Sequence, residues 1–486
     1  MTTTTDNPRE LIAPFLEQAR WFGGKGRPFT LAGRHRLGEV PGGSAVFPRV
    51  AIDLVRVEYG DPEGGSDLYQ LPMAFYPEPQ EHLEHALIGV WADEDFGTSH
   101  VYDAVHDRQA MAHWLECFAR GGGGPDEGRL RFHRLPGHDF DLDAHSTLFS
   151  GEQSNSSVRF GEDSLLKVFR KITPGQNPDI AIHEVLTQAG SEHVAALYGW
   201  LEVDELPATE VGPSPPGPEA GFESGGVLHL AMLQQFLRTA SDGWDLALNS
   251  VRNLFAEADL HADEVGGDFA GEAARLGEAL AETHETLREH FPTEQWPPER
   301  IAELVAGMHR RLDAALTVVP ELEEYADVLR TTFDHVRRIR DLTVQQVHGD
   351  LHLGQTLRTV KGWKIVDFEG EPARQLSERI LPDSRWRDVA GMLRSFDYAP
   401  RVVERTVGEN EPIGAEQRLF RAAEWSDRNR EAFLEAYTGG DLTVDQDTLL
   451  SAYLADKAVY ETVYETRNRP TWISIPLEAI RRIETS

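Results

Sequence analysis

The chain has 486 residues, a net charge of −34 and one cysteine, and this length predicts two or three domains. A single cysteine excludes internal disulfides and cysteine-based zinc sites, and it fits a reducing, cytoplasmic setting. So acidic a surface repels nucleic acid and anionic lipid. From the distribution of apolar residues, we expect neither a membrane-spanning helix nor a secretory signal.

The predicted elements change in character along the chain. Alternating apolar runs at 45–59 and 67–76 predict strands, and a helix is expected near 107–119. Short strand-like runs then occupy 129–236, interrupted by one helix near 178–190. From residue 240 onward, helical periodicity predicts helices over 268–290, 297–316, 320–340, 386–397, 414–437 and 446–467.

This order predicts an α+β fold in three parts. The parts are a β-rich domain over 1–106, a small β-rich lobe with one helix over 107–236, and a large helical lobe over 237–486. Two polar segments, 121–128 and 206–226, are rich in Gly, Pro or Glu and are expected to be surface loops.

In the small lobe, the polar turn at 151–160 precedes a strand that carries a lysine. Lys167 stands among apolar residues in LLKVFR, where an unpaired ammonium is costly to bury. We therefore predict that Lys167 contacts phosphate, with an edge-strand lysine that reaches solvent as the alternative. The turn offers further phosphate ligands, although such runs are often plain turns: Ser154, Asn155, Ser156 and Ser157.

Two further predictions complete the nucleotide site. The carboxylate partner of Lys167 should come from the following helix, and Glu184 in its middle is favoured over Asp179 at its start. A base would lie against the strand at 227–237, next to Gln234, Gln235 and Phe236, where backbone groups would contact it.

Two polar stretches in the helical lobe carry the catalytic signal: QVHGDLHLGQ at 346–355 and IVDFEGEP at 365–372. The residues between them predict a hairpin, which would hold Gln355 close to Asp367. Asp350 can accept a proton from an alcohol, while the oxygens of Gln355 and Asp367 suit Mg²⁺. Either motif alone would be an ordinary turn or strand end, but the pair predicts phosphoryl transfer from a nucleotide to a hydroxyl. His348 is expected to brace this catalytic loop.

A sugar acceptor needs hydrogen-bonding groups and an aromatic platform, and the last predicted helix offers both. Asp456, Tyr460, Tyr464 and Arg467 share one face by their spacing. A salt-bridged surface helix is the alternative. The other predicted acceptor residues are Glu461, Glu465, Asn468 and Trp472, with His352, Glu369, Arg387 and Asp388 nearer the catalytic motifs. Arg387 and Asp388 are equally well explained as an anchor for the catalytic loop, and His352 as a packed loop residue.

The catalytic motifs resemble those of the aminoglycoside phosphotransferases and choline kinases, which share the bilobal protein-kinase-like fold. Gly349 stands where protein kinases have Arg, Gln355 where they have Asn, and Glu369 where they have Gly, so a protein kinase is not expected. Longer stretches resemble bacterial maltokinases: EQSNSSV, LLKVFRKITPGQNPDI, HGDLHLGQ, VDFEGEP, RDVAGMLRSFDY and DKAVYETVYETRNRPTW. The resemblance covers about 145–486 well and the N-terminal part more loosely.

That resemblance implies an N-terminal cap domain over 1–106 before the nucleotide and catalytic lobes. It implies the ATP-dependent, Mg²⁺-dependent phosphorylation of maltose to maltose 1-phosphate, which supplies α-glucan synthesis from trehalose, with trehalose synthase as a possible partner. Two alternatives stay open: a kinase acting on O6 of glucosamine or on another amino sugar, and a pseudokinase that only binds nucleotide. The chain alone does not distinguish a monomer from a homodimer.

Overall fold

The computed structural model describes most of the chain. The described residues are 4–5, 7–42, 47–62, 64–121, 129–149, 155–204, 226–238, 240–257, 261–264, 267–371, 376–408 and 414–485. The chain divides into two compact units, of which unit 1 comprises residues 1–184 and 196–238, and unit 2 comprises residues 185–195 and 239–486.

The first sheet of unit 1 has the strand order β1-β5-β6-β4-β3-β2, with β11 paired to β4. Alternate residues of its long strands point to opposite faces. On one face Ala51 and Val55 pack with Leu16 of the first helix, and on the other Ile52 and Leu54 pack with the second helix. The elements are β1 (Thr4–Thr5), α1 (Arg9–Gln18), β2 (Phe29–Glu39), β3 (Arg49–Tyr59), β4 (Ser66–Tyr76), β5 (Leu87–Asp93), β6 (Gly97–Asp103), α2 (Arg108–Arg120) and β11 (Lys171–Ile172).

The second sheet of unit 1 is antiparallel, in the order β7-β12-β13-β10-β9-β8. Its elements, with the helix after β11, are β7 (Arg131–Arg134), β8 (Ser146–Leu148), β9 (Asn155–Phe160), β10 (Ser164–Phe169), α3 (Pro178–Gln188), β12 (Leu197–Asp204) and β13 (Val227–Gln235). One apolar cluster contains Ile52 of the first sheet together with Leu166 and Val168 of the second. Because the two sheets share this core, their packing does not mark a boundary at residue 106. The domain boundary predicted there stays a prediction.

Unit 2 is mainly helical, with two small sheets ordered β14-β17-β18 and β15-β16. Its helices are α4 (Gly243–Ala256), α5 (Ala270–His290), α6 (Pro298–Leu316), α7 (Ala326–His335), α8 (Leu376–Arg379), α9 (Trp386–Gly408), α10 (Ala415–Thr438), α11 (Val444–Asn468) and α12 (Ser474–Thr485). Its strands are β14 (Ser241–Asp242), β15 (Glu294–Trp296), β16 (Leu342–Val344), β17 (Thr356–Thr359) and β18 (Gly362–Ile365).

The helices of unit 2 follow the predicted periodicity, with differences at their ends. α11 begins with a capping box, in which Thr443 and Gln446 satisfy each other's backbone N–H groups. The predicted helix at 320–340 is divided into a 3₁₀ turn at Pro320–Tyr325 and α7. The sequence-based predictions do not include helices α1, α4, α8 and α12. Among the described residues, no helix is both long and apolar enough to cross a bilayer.

Candidate active site

The catalytic loop after β16 is held in place by Asp388, which is 1% exposed near the start of α9. Its Oδ2 accepts the backbone N–H of His348 at 2.7 Å, and its Oδ1 accepts that of Gly349 at 2.8 Å. His284 contacts Oδ2 through Nε2 at 3.0 Å. Burial would raise the pKa of Asp388, but the contact with His284 and the bond from Gly349 hold it below its ordinary value. Of the two predicted roles, the geometry favours the anchor.

Two further residues on the same face of α9 contact this loop. The hydroxyl of Ser395 accepts the backbone N–H of Leu353 at 3.1 Å. A Cβ on Gly391 would lie 2.4 Å from the carbonyl oxygen of Leu351, so only glycine allows the helix to come this close. Positions 388, 391 and 395 follow the helical repeat, so α9 and the loop meet along one stripe.

His348 braces the loop from within and is 2% exposed. Its Nε2 donates to the carbonyl oxygen of Val366 at 3.0 Å, and its Nδ1 accepts the backbone N–H of Asp350 at 3.3 Å. Gly349 has φ of +86°, where a side chain such as the Arg of protein kinases would be strained. With both ring nitrogens used, His348 acts as a brace around Asp350.

The β17–β18 hairpin brings the predicted metal ligands together. The amide Nε2 of Gln355 donates a hydrogen bond to Oδ2 of Asp367 at 3.0 Å, so the two side chains meet at one point. A turn of the amide would present its oxygen there, the kind of ligand atom that Mg²⁺ prefers. A carboxylate oxygen of Glu369 lies within 4.8 Å of one of Asp367. Asp367 has φ of +68°, which is costly outside glycine and occurs mainly at functional sites. These three side chains fit a Mg²⁺ site, and Glu369 therefore lies with the candidate metal ligands.

Asp350 opens onto a cavity of about 600 Å³ in unit 2. Its polar wall near Asp350 is formed by Glu371, Asp383, Arg387, Asp456, Lys457 and Tyr460. Arg387 donates to both Asp383 and Glu371 at 2.9 Å, and Tyr453 donates to Asp383 at 2.8 Å. The cavity combines carboxylates, cations and an aromatic ring beside the candidate base, as a site for a polyhydroxylated acceptor requires.

Several predicted acceptor residues lie elsewhere. Glu461 is paired with Arg394 at 2.6 Å and Glu465 with Arg469 at 2.7 Å, and the guanidinium of Arg469 lies 4.4 Å from the ring centre of Trp472. The others are half-buried or exposed and do not line the cavity: His352, Tyr464, Arg467 and Asn468. Asp388 also lies outside it. Of the predicted stripe, Asp456 and Tyr460 line the cavity, because each helical turn rises about 5.4 Å and only the middle of α11, from Tyr453 to Tyr460, reaches it.

Lys457 is not among the site residues predicted from the sequence, but the structure places its side chain in the cavity beside Asp350. Its Nζ lies 3.2 Å from Oδ1 of Asp350. Lysine occurs elsewhere only at positions 25, 167, 171, 361 and 364, so its rarity was the available signal. Asp383 and Glu371 are also not among the predicted site residues. Glu371 contacts Arg387 across 16 positions, whereas Asp383 lies only four positions before Arg387, just ahead of the helix predicted from residue 386.

In unit 1, Lys167 lies on β10 and its Nζ donates to Oδ2 of Asp179 at 2.9 Å. Asp179 has a side chain that is 2% exposed, and its Oδ1 lies 3.1 Å from His183. Burial would raise the pKa of Asp179, but the charge of Lys167 outweighs this and lowers it. Asp179, the residue less favoured by the sequence, is thus a partner of Lys167. Glu184 starts about 140° around α3 from Asp179, and its role as a partner stays a prediction.

A matched pair of variants tests this assignment. Asp179→Asn is expected to raise the KM for ATP roughly tenfold or more, since hydrogen bonds between charged groups contribute about 1.5–3 kcal/mol. Glu184→Gln is expected to stay close to the wild type. Steady-state ADP release at varied ATP measures both. A larger effect of Glu184→Gln would restore the original prediction.

The other predicted nucleotide residues surround this strand. Ser156 accepts a bond from Arg170 at 2.8 Å, and Ser157 pairs in register with Lys167. Asn155 begins β9, while Ser154 lies outside the described residues. On β13, the side-chain oxygen of Gln234 is buried and accepts no hydrogen bond from the described residues. The backbone N–H groups of Gln235 and Phe236 donate to the carbonyl oxygens of Ala196 and Asp163. A role for these residues in nucleotide binding stays a prediction.

Comparison with protein families matches two parts of the chain. Residues 15–107 match the maltokinase N-terminal cap domain, and residues 266–435 match the phosphotransferase enzyme family. A glucosamine kinase of Streptacidiphilus jiangxiensis is 27% identical over 419 residues, which cover 79% of this chain and 88% of that protein. A glucosamine kinase of Mycolicibacterium smegmatis is 24% identical over 360 residues, covering 68% and 77%.

Solved structures show the same fold. A glucosamine kinase in complex with glucosamine, ADP and inorganic phosphate has a TM-score of 0.66 at 21% identity, covering 99% of this chain and all of that one. Crystal form B of a glucosamine kinase has a TM-score of 0.68 at 21% identity, with the same coverage. The predicted α+β, kinase-like fold is confirmed by these likenesses and the family matches.

Proposed function

We propose that this chain belongs to the maltokinase-like group of the phosphotransferase enzyme family and is an ATP-dependent amino-sugar kinase that transfers phosphate to a hydroxyl group of glucosamine. The family matches support phosphoryl transfer. The curated relatives named glucosamine kinase support the choice of acceptor.

One feature of the cavity favours an amino sugar as the acceptor. Arg387 is shared by two carboxylates, Glu371 and Asp383, so the part of the wall around Arg387 holds more negative than positive charge. Burial would lower the pKa of Arg387, but the charge of Asp383 outweighs this and raises it above its ordinary value. An ammonium group is the substituent that such a wall favours over a hydroxyl.

The proposed reaction is an in-line transfer. Asp350 takes the proton of the acceptor hydroxyl as its oxygen attacks the γ-phosphorus of ATP, and the bond from phosphorus to the bridging oxygen breaks to release ADP. Lys167, oriented by Asp179, steadies the phosphates. Mg²⁺ would be held by Gln355 and Asp367, with Glu369 close by, and when bound it neutralises phosphate charge.

Maltose is the second candidate acceptor, because residues 15–107 match a cap domain described for maltokinases. In that case the product is maltose 1-phosphate, a donor for α-glucan synthesis, and trehalose synthase becomes a candidate partner. Both candidates place the enzyme in the cytoplasm, where ATP is available.

A panel of acceptors tests the proposal. ADP release is measured with glucosamine, maltose, glucose and an aminoglycoside, and NMR of the product identifies the phosphorylated oxygen. Glucosamine is expected to exceed glucose in kcat/KM by about 10- to 150-fold, since a charged hydrogen bond contributes about 1.5–3 kcal/mol. Glu371→Gln should reduce this ratio.

The other outcomes of the panel are equally informative. The highest kcat/KM with maltose would contradict the amino-sugar proposal and support the second candidate. ATP binding without turnover of any acceptor would contradict both and support a module that only binds nucleotide.

A further inference from the structure

The contact between Lys457 and Asp350 joins a cation to the proposed base. The ammonium lies 3.2 Å from Oδ1 of the carboxylate, and both groups line the acceptor cavity. Their side chains are 30% and 23% exposed. The pair is partly buried and faces the cavity, so an acceptor bound there can contact the carboxylate that the ammonium holds.

Lys457 has a second acidic neighbour, Glu461, which follows one turn later on α11. Arg394 of α9 donates to Oε2 of Glu461 through two nitrogens, at 2.6 and 3.0 Å. Burial would lower the pKa of Lys457, but the charges of Asp350, Glu461 and Glu371 outweigh it and raise the pKa. The ammonium therefore stays charged at its place beside Asp350.

We propose that Lys457 is a positioning residue for catalysis, whose ammonium holds the Asp350 carboxylate aimed into the acceptor cavity. This inference deepens the proposed function and rests on the assignment of Asp350 as the base. An ammonium that contacts Oδ1 fixes the direction of the carboxylate, and its other oxygen, Oδ2, is then directed to take the proton of the acceptor hydroxyl.

The groups that face Asp350 come from three directions. His348 and His352 belong to its own loop, Glu371 follows the β17–β18 hairpin, and Lys457 and Tyr460 come from α11. Burial lowers the pKa of His352, and Glu371 is an acid. Lys457 is thus the permanent cation of this set.

The test compares Lys457→Met with Lys457→Arg, and with Lys361→Met as a matched control in the exposed turn of the β17–β18 hairpin. Lys457→Met is expected to lower kcat about 10- to 100-fold. The KM for ATP should change little, because Lys167 and Asp179 lie on other elements. Lys457→Arg should recover a large part of kcat, because a guanidinium can keep the contact with Asp350, and the control should equal the wild type.

The same variants are compared in the slow release of ADP to water, without any sugar. A wild type that phosphorylates no sugar would contradict the proposed function, while this comparison still decides the role of Lys457. Thermal unfolding checks folding, and Lys457→Gln replaces the methionine variant if that variant does not fold. A kcat of the uncharged variant equal to that of the wild type, or no gain in kcat from Lys457→Met to Lys457→Arg, would overturn the proposal.

Discussion

Asp350→Asn is expected to lower kcat by about 10²- to 10⁴-fold, the usual contribution of a general base. The amide cannot take the proton of the acceptor hydroxyl, but it keeps the size of the carboxylate. Binding of ATP should stay near the wild-type value, because Lys167 and its partner Asp179 lie on other elements. Stopped assays of product formation measure kcat, and titration with an ATP analogue measures nucleotide binding.

The matched control for this prediction is Asp441→Asn, an exposed aspartate between α10 and α11. Its turnover is expected to equal that of the wild type. Near-normal turnover in Asp350→Asn would contradict the assignment of the base. Loss of ATP binding in that variant would instead indicate a wider disturbance of the site.

Asp388→Ala is expected to lower the free energy of unfolding by about 3–5 kcal/mol, the usual effect of breaking a buried charged contact. The change removes the acceptor for the N–H groups of His348 and Gly349 and the partner of His284. Because those groups hold the catalytic loop, turnover should fall as well. Denaturant unfolding measures the first effect, and Asp441→Ala serves as the exposed control.

The pH dependence of the free energy of unfolding tests whether the charge of Asp388 stabilises the fold. The folded protein holds the pKa of Asp388 below its ordinary value of 3.8. A lowered folded pKa adds stability that is fully present above the unfolded value and is lost as pH falls through the folded value. The difference in stability between the wild type and Asp388→Asn should therefore shrink below about pH 4. A difference that does not change with pH would contradict the role of the charge.

The parts of the site that could be predicted are local in sequence. Asp350, Gln355 and Asp367 lie within one loop and one hairpin, so spacing alone placed them together. Asp179 and Glu184 show the limit of such reasoning. Both are acids on α3, and only the direction of each side chain from the helix determines which of them reaches Lys167.

The sequence by itself determined the broad order of the elements, the candidate catalytic aspartate and the pair of candidate metal ligands, because short-range spacing and periodicity carry that information. Only the tertiary structure decided between the two roles predicted for Asp388, in favour of the anchor, and showed that Lys457 reaches Asp350. These contacts join residues 40 and 107 positions apart. The packing of α9 and α11 against the loop creates them, and no local pattern specifies which side chains such packing brings together.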